Sequence, residues 1–107
     1  MSDENITLLV VDDNKELVKI IKTYLKRRGF NILAAYTAHE ALRIIEESKK
    51  KIRLMLLDLM LPDMPGQEVL KLIREMNSDI GIIVITGVKD IQTAVELMKA
   101  GADDYIT

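Results

Sequence analysis

A run of apolar residues that ends in a carboxylate constrains the fold of this chain more than any other stretch. Residues 54–57 are all apolar, Asp58 follows at once, and residues 59–66 contain both prolines of the chain. Because the apolar residues do not alternate with polar ones, the run predicts a strand that is buried on both faces, as in a parallel sheet. Open α/β sheets bind ligands at the carboxyl ends of their strands, so Asp58 is the first candidate for the chemistry.

Other apolar segments predict strands at residues 7–11, 31–35, 82–85 and 104–107. Helical patterns fill the intervals between the strands. Asp13 or Asn14 can cap the first helix, Thr37 and Glu40 form a capping box for the second, and Gly29 suits the end of the first. Strands that alternate with helices of this length indicate βαβ units and a parallel sheet.

Each helix has an apolar face that we expect to pack on the sheet. We expect the third helix to start at residues 65–66 and break at 77–79, and the fourth to start at Lys89 or Asp90 and end at Gly101. Residues 46–53 should be the charged end of the second helix and a loop. In chain order, the predicted faces are Leu17, Ile21, Tyr24, Leu25 and Arg28 with Val18 and Ile20 beside them; Ala41, Leu42, Ile44 and Ile45; Val69, Leu70, Ile73 and Met76; and Ile91, Ala94, Val95 and Met98.

The order of the strands decides which residues meet. Right-handed crossovers leave two common doubly wound orders, and 2-1-3-4-5 suits five strands. The predicted fold class is therefore α/β, with a flavodoxin-like doubly wound parallel sheet. In this order Asp12, Asp13, Asp58 and Thr86 follow the last apolar residues of strands one, three and four, and they converge on one edge.

Composition narrows the class of protein. The 107 residues fit a single domain spanning 1–107, and the chain has no cysteine, which excludes disulfides and zinc–thiolate sites. A net charge of −2 gives no basic surface for direct binding of nucleic acid. No apolar run is long enough to span a membrane, and residues 1–4 do not form a signal peptide. A soluble, cytoplasmic protein is the expectation.

The three carboxylates predict a cation site. Asp12, Asp13 and Asp58 would repel one another unless one keeps its proton or a cation neutralises them. Oxygen ligands without histidine or cysteine favour a hard ion, Mg²⁺ or Mn²⁺. A carboxylate beside such an ion can act as a nucleophile toward a phosphoryl group, and Thr86 could donate to a phosphoryl oxygen. The alternative is that these aspartates only cap helices and form turns.

The motifs together resemble the receiver domain of a two-component response regulator, over nearly the whole chain. The segments that carry the resemblance are Val10-Val11-Asp12-Asp13-Asn14, Leu57-Asp58-Leu59-Met60-Leu61-Pro62-Asp63-Met64-Pro65-Gly66, Ile85-Thr86-Gly87 and Ala100-Gly101-Ala102-Asp103-Asp104-Tyr105. The resemblance implies that Asp58 is the phospho-acceptor of a histidine kinase. It implies that Asp12 and Asp13 are the acidic pair, with Asp13 the more direct Mg²⁺ ligand, and that the Met60 carbonyl is a further ligand. Such a domain is a phospho-acceptor rather than an enzyme.

The resemblance also implies a switch and partners. Thr86 matches the hydroxyl that moves toward the phosphoryl group, and Tyr105 matches the aromatic residue whose ring then turns inward. The segment 86–95 resembles receivers joined to transcription activators, which implies a C-terminal output domain in the parent protein. His39 is expected to be solvated and without function.

One departure from the family pattern leads to a further expectation. Receivers carry a lysine and a fifth helix shortly after the position of Thr107, where this chain ends. The resemblance implies a C-terminally truncated domain with impaired phosphorylation and with exposed apolar residues on strands one and five. Exposed apolar patches promote association, so we expect a dimer or a swapped oligomer. An alternative function is a phosphorylation-impaired interaction or oligomerisation module.

Two other classes of protein fit the sequence less well. A haloacid dehalogenase-type phosphatase would need a second aspartate at position 60, where the chain has methionine. A flavodoxin-like cofactor binder would need a phosphate loop rich in serine, threonine and glycine after strand one. Asp12 and Asp13 would repel a phosphate there.

Overall fold

The computed structural model describes residues 6–48, 51–76, 79–87 and 91–107. Within these residues, five parallel strands alternate with four helices in the strand order β2-β1-β3-β4-β5, which confirms the predicted topology. The elements are β1 (Thr7–Val11), α1 (Lys15–Arg27), β2 (Asn31–Ala35), α2 (Ala38–Glu47), β3 (Ile52–Asp58), α3 (Gly66–Met76), β4 (Gly81–Ile85), α4 (Ile91–Ala100) and β5 (Asp104–Ile106).

The main core lies between the sheet and the helices α2, α3 and α4. Alternate residues of the central strands are fully buried on this face, because successive side chains of a strand point to opposite sides. Each buried aliphatic side chain contributes about 1.5–3 kcal/mol. The fully buried members include Leu9, Val11, Met55, Leu57, Ile82 and Val84 from the strands and Val69, Leu70, Ile73 and Leu97 from the helices.

The helix ends follow the predicted capping residues. Asn14 caps α1, and its side chain accepts a hydrogen bond from the Leu17 N–H. Gly29 follows the end of α1 with φ 95°, a conformation that glycine adopts without strain. Thr37 caps α2 by accepting from the Glu40 N–H, and the Glu40 carboxylate accepts from the backbone N–H of Tyr36 rather than from that of Thr37.

The predicted faces of α1 and α4 were partly wrong. Val18 is buried in α1 while Ile21 and Leu25 are half-buried, but Leu17, Tyr24 and Arg28 are exposed. A helix that lies on a sheet buries only the stripe directed at the sheet, and residues on its flanks stay in water. The same holds in α4, where Ala94 and Leu97 are buried while Ile91, Val95 and Met98 are exposed.

Two smaller differences concern element ends. Met76, at the last position of α3, is exposed. β3 begins at Ile52, which is buried and pairs with Thr7, and the register shifts at Arg53, which is exposed. The predicted breaker residues 77–78 and the predicted helix start at residues 89–90 lie outside the described residues.

The expectation that strand one would expose apolar residues was wrong. All of β1 is buried, because it is an inner strand and α1 packs across it on the face opposite the main core. For strand five, the expectation of exposed apolar residues is partly confirmed, because Ile106 is exposed while Tyr105 is half-buried. Among the described residues, no helix is both long enough and apolar enough to cross a membrane.

Candidate metal and phosphoryl site

The carboxyl ends of β1 and β3 bring three aspartates together. Val11 and Leu57 are partners in the parallel register, so the residues that follow them in the chain are neighbours. Asp12, Asp13 and Asp58 each offer a carboxylate oxygen, and these oxygens all lie within 4.8 Å of one another. The predicted acidic cluster is therefore present at the switch point between β1 and β3.

The two aspartates after β1 have different surroundings. Asp12 is buried, and its Oδ1 accepts a hydrogen bond of 2.9 Å from the backbone N–H of Asn14. Its own N–H donates to the Ala35 carbonyl across 3.1 Å. Asp12 thus shapes the turn into α1, whereas Asp13 is exposed at the mouth of the site.

Asp58 is half-buried as the last residue of β3. Burial is the largest influence on its pKa and raises it, and the charges of Asp12 and Asp13 raise it further. The backbone N–H of Met60 donates to Oδ1 of Asp58 and lowers the pKa, but it does not cancel the rise. A cation placed among these oxygens would relieve both the repulsion and the cost of burial.

The segment between β3 and α3, which we call the acceptor loop (residues 59–65), is closed at its base. The Gly66 N–H donates to the Leu59 carbonyl across 2.9 Å, and Met60 and Pro65 form an isolated antiparallel bridge. Leu59 and Leu61 are buried, while the Met60 side chain is 75% exposed. The backbone at Met60 is therefore fixed beside Asp58 although its side chain lies in solvent.

Thr86 and Tyr105 lie at the neighbouring strand ends. Ile85 pairs with Asp58, so Thr86 directly follows the partner of the candidate acceptor. Thr86 is buried, and its backbone N–H donates to the Ile106 carbonyl across 2.9 Å. Tyr105 is half-buried beside α4, where it lines a groove with Ile91, Ala94, Val95, Met98 and Lys99.

Asp63 and His39 form a contact that the sequence analysis missed. The Asp63 carboxylate accepts from the backbone N–H groups of Ala38 and His39, and its Oδ2 also lies 2.5 Å from Nδ1 of His39. His39 is largely exposed, as expected, but it is not simply solvated. The two residues are 24 positions apart, so no local pattern indicates the contact.

The donor set of the cluster fits a magnesium ion. The group contains carboxylate oxygens only, and Mg²⁺ in proteins is held by one or two carboxylates with water or phosphate oxygens in the other positions. Asp13 and Asp58 are the accessible members, and Asp12 is fixed behind them by its bond to Asn14. An ion held by these residues would take water or phosphate oxygens in its remaining positions.

Comparison with known proteins places this geometry in a family. The family model for the response regulator receiver domain matches residues 8–107. The transcriptional regulatory protein ZraR of Salmonella typhimurium is 39% identical over 101 residues, which are 94% of this chain and 22% of that protein. The chain therefore spans about a fifth of the length of this curated relative.

Solved structures agree with the family model. A CheY-like response regulator receiver domain protein from Methanospirillum hungatei superposes with a TM-score of 0.88 at 33% identity, covering 96% of this chain and 81% of that one. A response regulator protein from Burkholderia pseudomallei, with a phosphorylated aspartic acid, calcium ion and citrate, gives a TM-score of 0.85 at 32% identity, covering 94% of this chain and 58% of that one. With the acids at the switch point and the match over residues 8–107, this chain belongs to the response regulator receiver domain family of two-component signalling.

Proposed function

We propose that this chain accepts a phosphoryl group from a histidine kinase on Asp58, in a reaction that depends on Mg²⁺, and changes conformation through Thr86 and Tyr105. The observation that carries the proposal is the approach of the Asp12, Asp13 and Asp58 oxygens to within 4.8 Å of one another at the edge of a receiver sheet. Aspartates that only cap helices or form turns do not have to lie this close to one another.

Asp58 supplies the nucleophile. One of its carboxylate oxygens forms a bond to phosphorus while the bond from phosphorus to the imidazole nitrogen of the donor breaks, and the electron pair of that bond stays on the nitrogen. The Met60 N–H holds Oδ1 of Asp58 across 3.2 Å, which fixes the plane of the carboxylate. Holding the nucleophile in one orientation lowers the entropic part of the barrier.

The acidic residues support the proposed metal requirement. Asp13 and Asp58 would hold the ion directly, the Met60 carbonyl would be a further ligand, and Asp12 would act from its buried position. A bound Mg²⁺ supplies positive charge that offsets both the carboxylates and the oxygens of the transferring group. Because burial and neighbouring charge raise the pKa of Asp58, that positive charge also favours the ionised, reactive form of the side chain.

The links between β4 and β5 support the proposed switch. Tyr105 pairs with Val84, and the next pair is Ile85 with Ile106. The backbone N–H of Thr86, the residue after Ile85, donates to the Ile106 carbonyl. A dianionic phosphoryl group on Asp58 would attract the Thr86 hydroxyl. The ring of Tyr105, which is half-buried beside α4, could then occupy the space that the hydroxyl leaves.

The relatives support the proposed partners. The Salmonella protein is named as a transcriptional regulator, and this chain matches 22% of it. We infer that the parent protein joins this domain to a transcriptional output domain and that a histidine kinase is the phosphoryl donor. The receiver itself would contact no nucleic acid.

A phosphorylation assay tests the proposal. The chain and its Asp58→Asn and Asp104→Asn variants are incubated with acetyl phosphate and Mg²⁺, and phosphoryl incorporation is followed by intact mass. Asp104 is an exposed carboxylate on β5 and serves as the matched control. All three proteins have the same length, so a difference in incorporation reports the substituted residue. We expect incorporation in the parent chain and in Asp104→Asn, dependent on Mg²⁺, and none in Asp58→Asn. Equal incorporation in all three would refute Asp58 as the acceptor.

A further inference from the structure

The acceptor loop is attached to the rest of the protein at two places. Its base is closed by the bond from Gly66 to Leu59 and by the bridge between Met60 and Pro65. Its tip is attached to α2 through Asp63, which accepts 2.8 Å from the Ala38 N–H and 3.0 Å from the His39 N–H. Met60, which donates to Asp58, is part of the base, and Leu61 and Pro62 connect it to Asp63 at the tip.

The attachment at the tip is electrostatically favourable. The Asp63 carboxylate faces the positive end of the α2 dipole and accepts from two amides that have no partner within the helix. The His39 imidazole approaches the same carboxylate from the first turn of α2. A charged acceptor roughly doubles the strength of an ordinary hydrogen bond, so this contact holds the loop tip firmly.

The start of α2 has a local cap in addition to Asp63. Thr37 already caps the helix, since its hydroxyl accepts from the Glu40 N–H across 3.1 Å. The Glu40 carboxylate accepts from the Tyr36 N–H just before the helix. Asp63 therefore adds an acceptor from a loop 25 residues away, and what it contributes beyond ordinary capping is the position of that loop.

We propose that Asp63 is a positioning residue for the metal and phosphoryl site, because it fixes the acceptor loop against α2 and thereby fixes the backbone of Met60 beside Asp58. This inference rests on the function proposed above. Asp63 does not touch the reacting atoms. Its carboxylate acts through the loop backbone, which supplies one N–H to the acceptor carboxylate and carries the carbonyl assigned to the metal.

Two variants separate positioning from capping. Asp63→Ala removes the attachment of the loop, and Thr37→Ala removes a capping bond from the same helix end without touching the loop. Both are expected to lower stability to a similar extent, because each removes capping bonds from the same helix end. Positioning predicts that only Asp63→Ala weakens Mg²⁺ binding, measured by calorimetric titration, with an increase in Kd of about tenfold. In Thr37→Ala we expect a Kd within about a factor of two of the parent value. Asp63→Asn keeps one acceptor oxygen, so its Kd for Mg²⁺ should lie between the values of Asp63→Ala and Thr37→Ala.

Amide hydrogen exchange gives a readout that is independent of metal binding. Without added metal, the Met60 and Gly66 amides of Asp63→Ala should exchange faster than those of the parent chain, and those of Thr37→Ala should not. Faster exchange that is confined to Asp63→Ala supports the positioning role, whether or not the parent chain binds Mg²⁺. Failure of the parent chain to bind Mg²⁺ would contradict only the proposed function. Equal effects of the two variants on exchange, or no effect of Asp63→Ala, would overturn the inference.

Discussion

The backbone N–H of Met60 donates to Oδ1 of Asp58 across 3.2 Å, so the loop that leaves β3 holds the residue with which that strand ends. This bond and a second backbone hydrogen bond, at Leu59, lower the pKa of Asp58, and three influences oppose them. Burial, Asp12 and Asp13 all raise the pKa of Asp58, and the net shift is upward. The folded state without bound metal therefore disfavours the ionised form of Asp58, which predicts an effect of this residue on stability.

The Asp58→Asn variant should be more stable than the parent chain at neutral pH. Because the pKa of Asp58 is higher in the folded state than its ordinary value of 3.8, the folded state binds the proton more tightly. The stability of the parent chain therefore decreases as the pH rises from 3.8 through the folded pKa and stays lower above it. Solvent screening of this partly exposed group limits the gain in Asp58→Asn to less than about 1 kcal/mol.

Urea denaturation at pH 7 and at pH 3.5 measures this effect. The advantage of Asp58→Asn over the parent chain should be present at pH 7 and shrink at pH 3.5. If Asp58→Asn is less stable than the parent chain at pH 7, burial and the neighbouring charges do not raise the pKa of Asp58 in the folded state.

Magnesium should stabilise the parent chain and not a variant that lacks a direct ligand. At an Mg²⁺ concentration ten times its Kd, a ligand that binds only the folded state adds about 1.4 kcal/mol. Thermal melts of the parent chain and of Asp13→Asn, each with Mg²⁺ and with EDTA, measure the gain. Asp13 is exposed, so its replacement should leave the metal-free fold intact. A full Mg²⁺ response in Asp13→Asn would remove this residue from the ligand set.

Asp63 should make the protein sensitive to acid. Burial raises the pKa of this carboxyl, but the N–H groups of His39 and Ala38 and the His39 imidazole outweigh burial and lower the pKa from 3.8 to about 2. A lowered folded pKa contributes stability that is present above 3.8 and is lost as the pH falls toward about 2. In Asp63→Asn this part of the acid transition should disappear. Stability measured between these two pH values checks the prediction, and curves for parent and variant that run parallel would contradict it.

The sequence predicted the strands and the acidic site well, because both depend on local patterns. A continuous apolar run defines β1 and β2 to the residue, and the register of a parallel sheet then places Asp12 beside Asp58. The handedness of the crossovers and the number of elements leave few possible topologies. The topology then determines which strand ends are neighbours, and so which residues that are distant in the chain come together.

Contacts that depend on which surface is covered were predicted less well. Helical spacing shows that Leu17 and Tyr24 share a face, but it does not show whether the face meets the sheet, and both are exposed. Leu97 was absent from the predicted face of α4 although it is fully buried. The sequence analysis assigned no contact to Asp63, because its partners at the start of α2 come from a region of the chain with no matching signal.

Arg74 should be important for stability because it joins three segments. Its guanidinium donates to the carbonyls of Ile80 and Gly101 and to the Asp103 carboxylate. Arg74→Met keeps the length of the side chain but leaves these acceptors without their donor, at a cost of about 2–3 kcal/mol. Arg43→Met, an exposed position in α2, is the matched control and should change stability by less than about 0.5 kcal/mol. Urea denaturation measures both, and equal losses would show that the Arg74 bonds contribute nothing specific.

Gly66 should tolerate no side chain, because the acceptor loop closes directly on it. A Cβ at this position would lie 2.8 Å from Cα of Leu59 and 2.9 Å from its carbonyl oxygen, and backbone atoms cannot move aside as a side chain can. Gly66→Ala should therefore lose about 1–3 kcal/mol of stability and should also displace Met60 from Asp58, which slows phosphorylation by acetyl phosphate. At Gly87 an added Cβ meets nothing within 4 Å, so Gly87→Ala is the control and should stay within about 0.5 kcal/mol of the parent chain. A Gly66→Ala protein with the stability and the phosphorylation rate of the parent chain would show that the loop can open at its base without disturbing the acceptor.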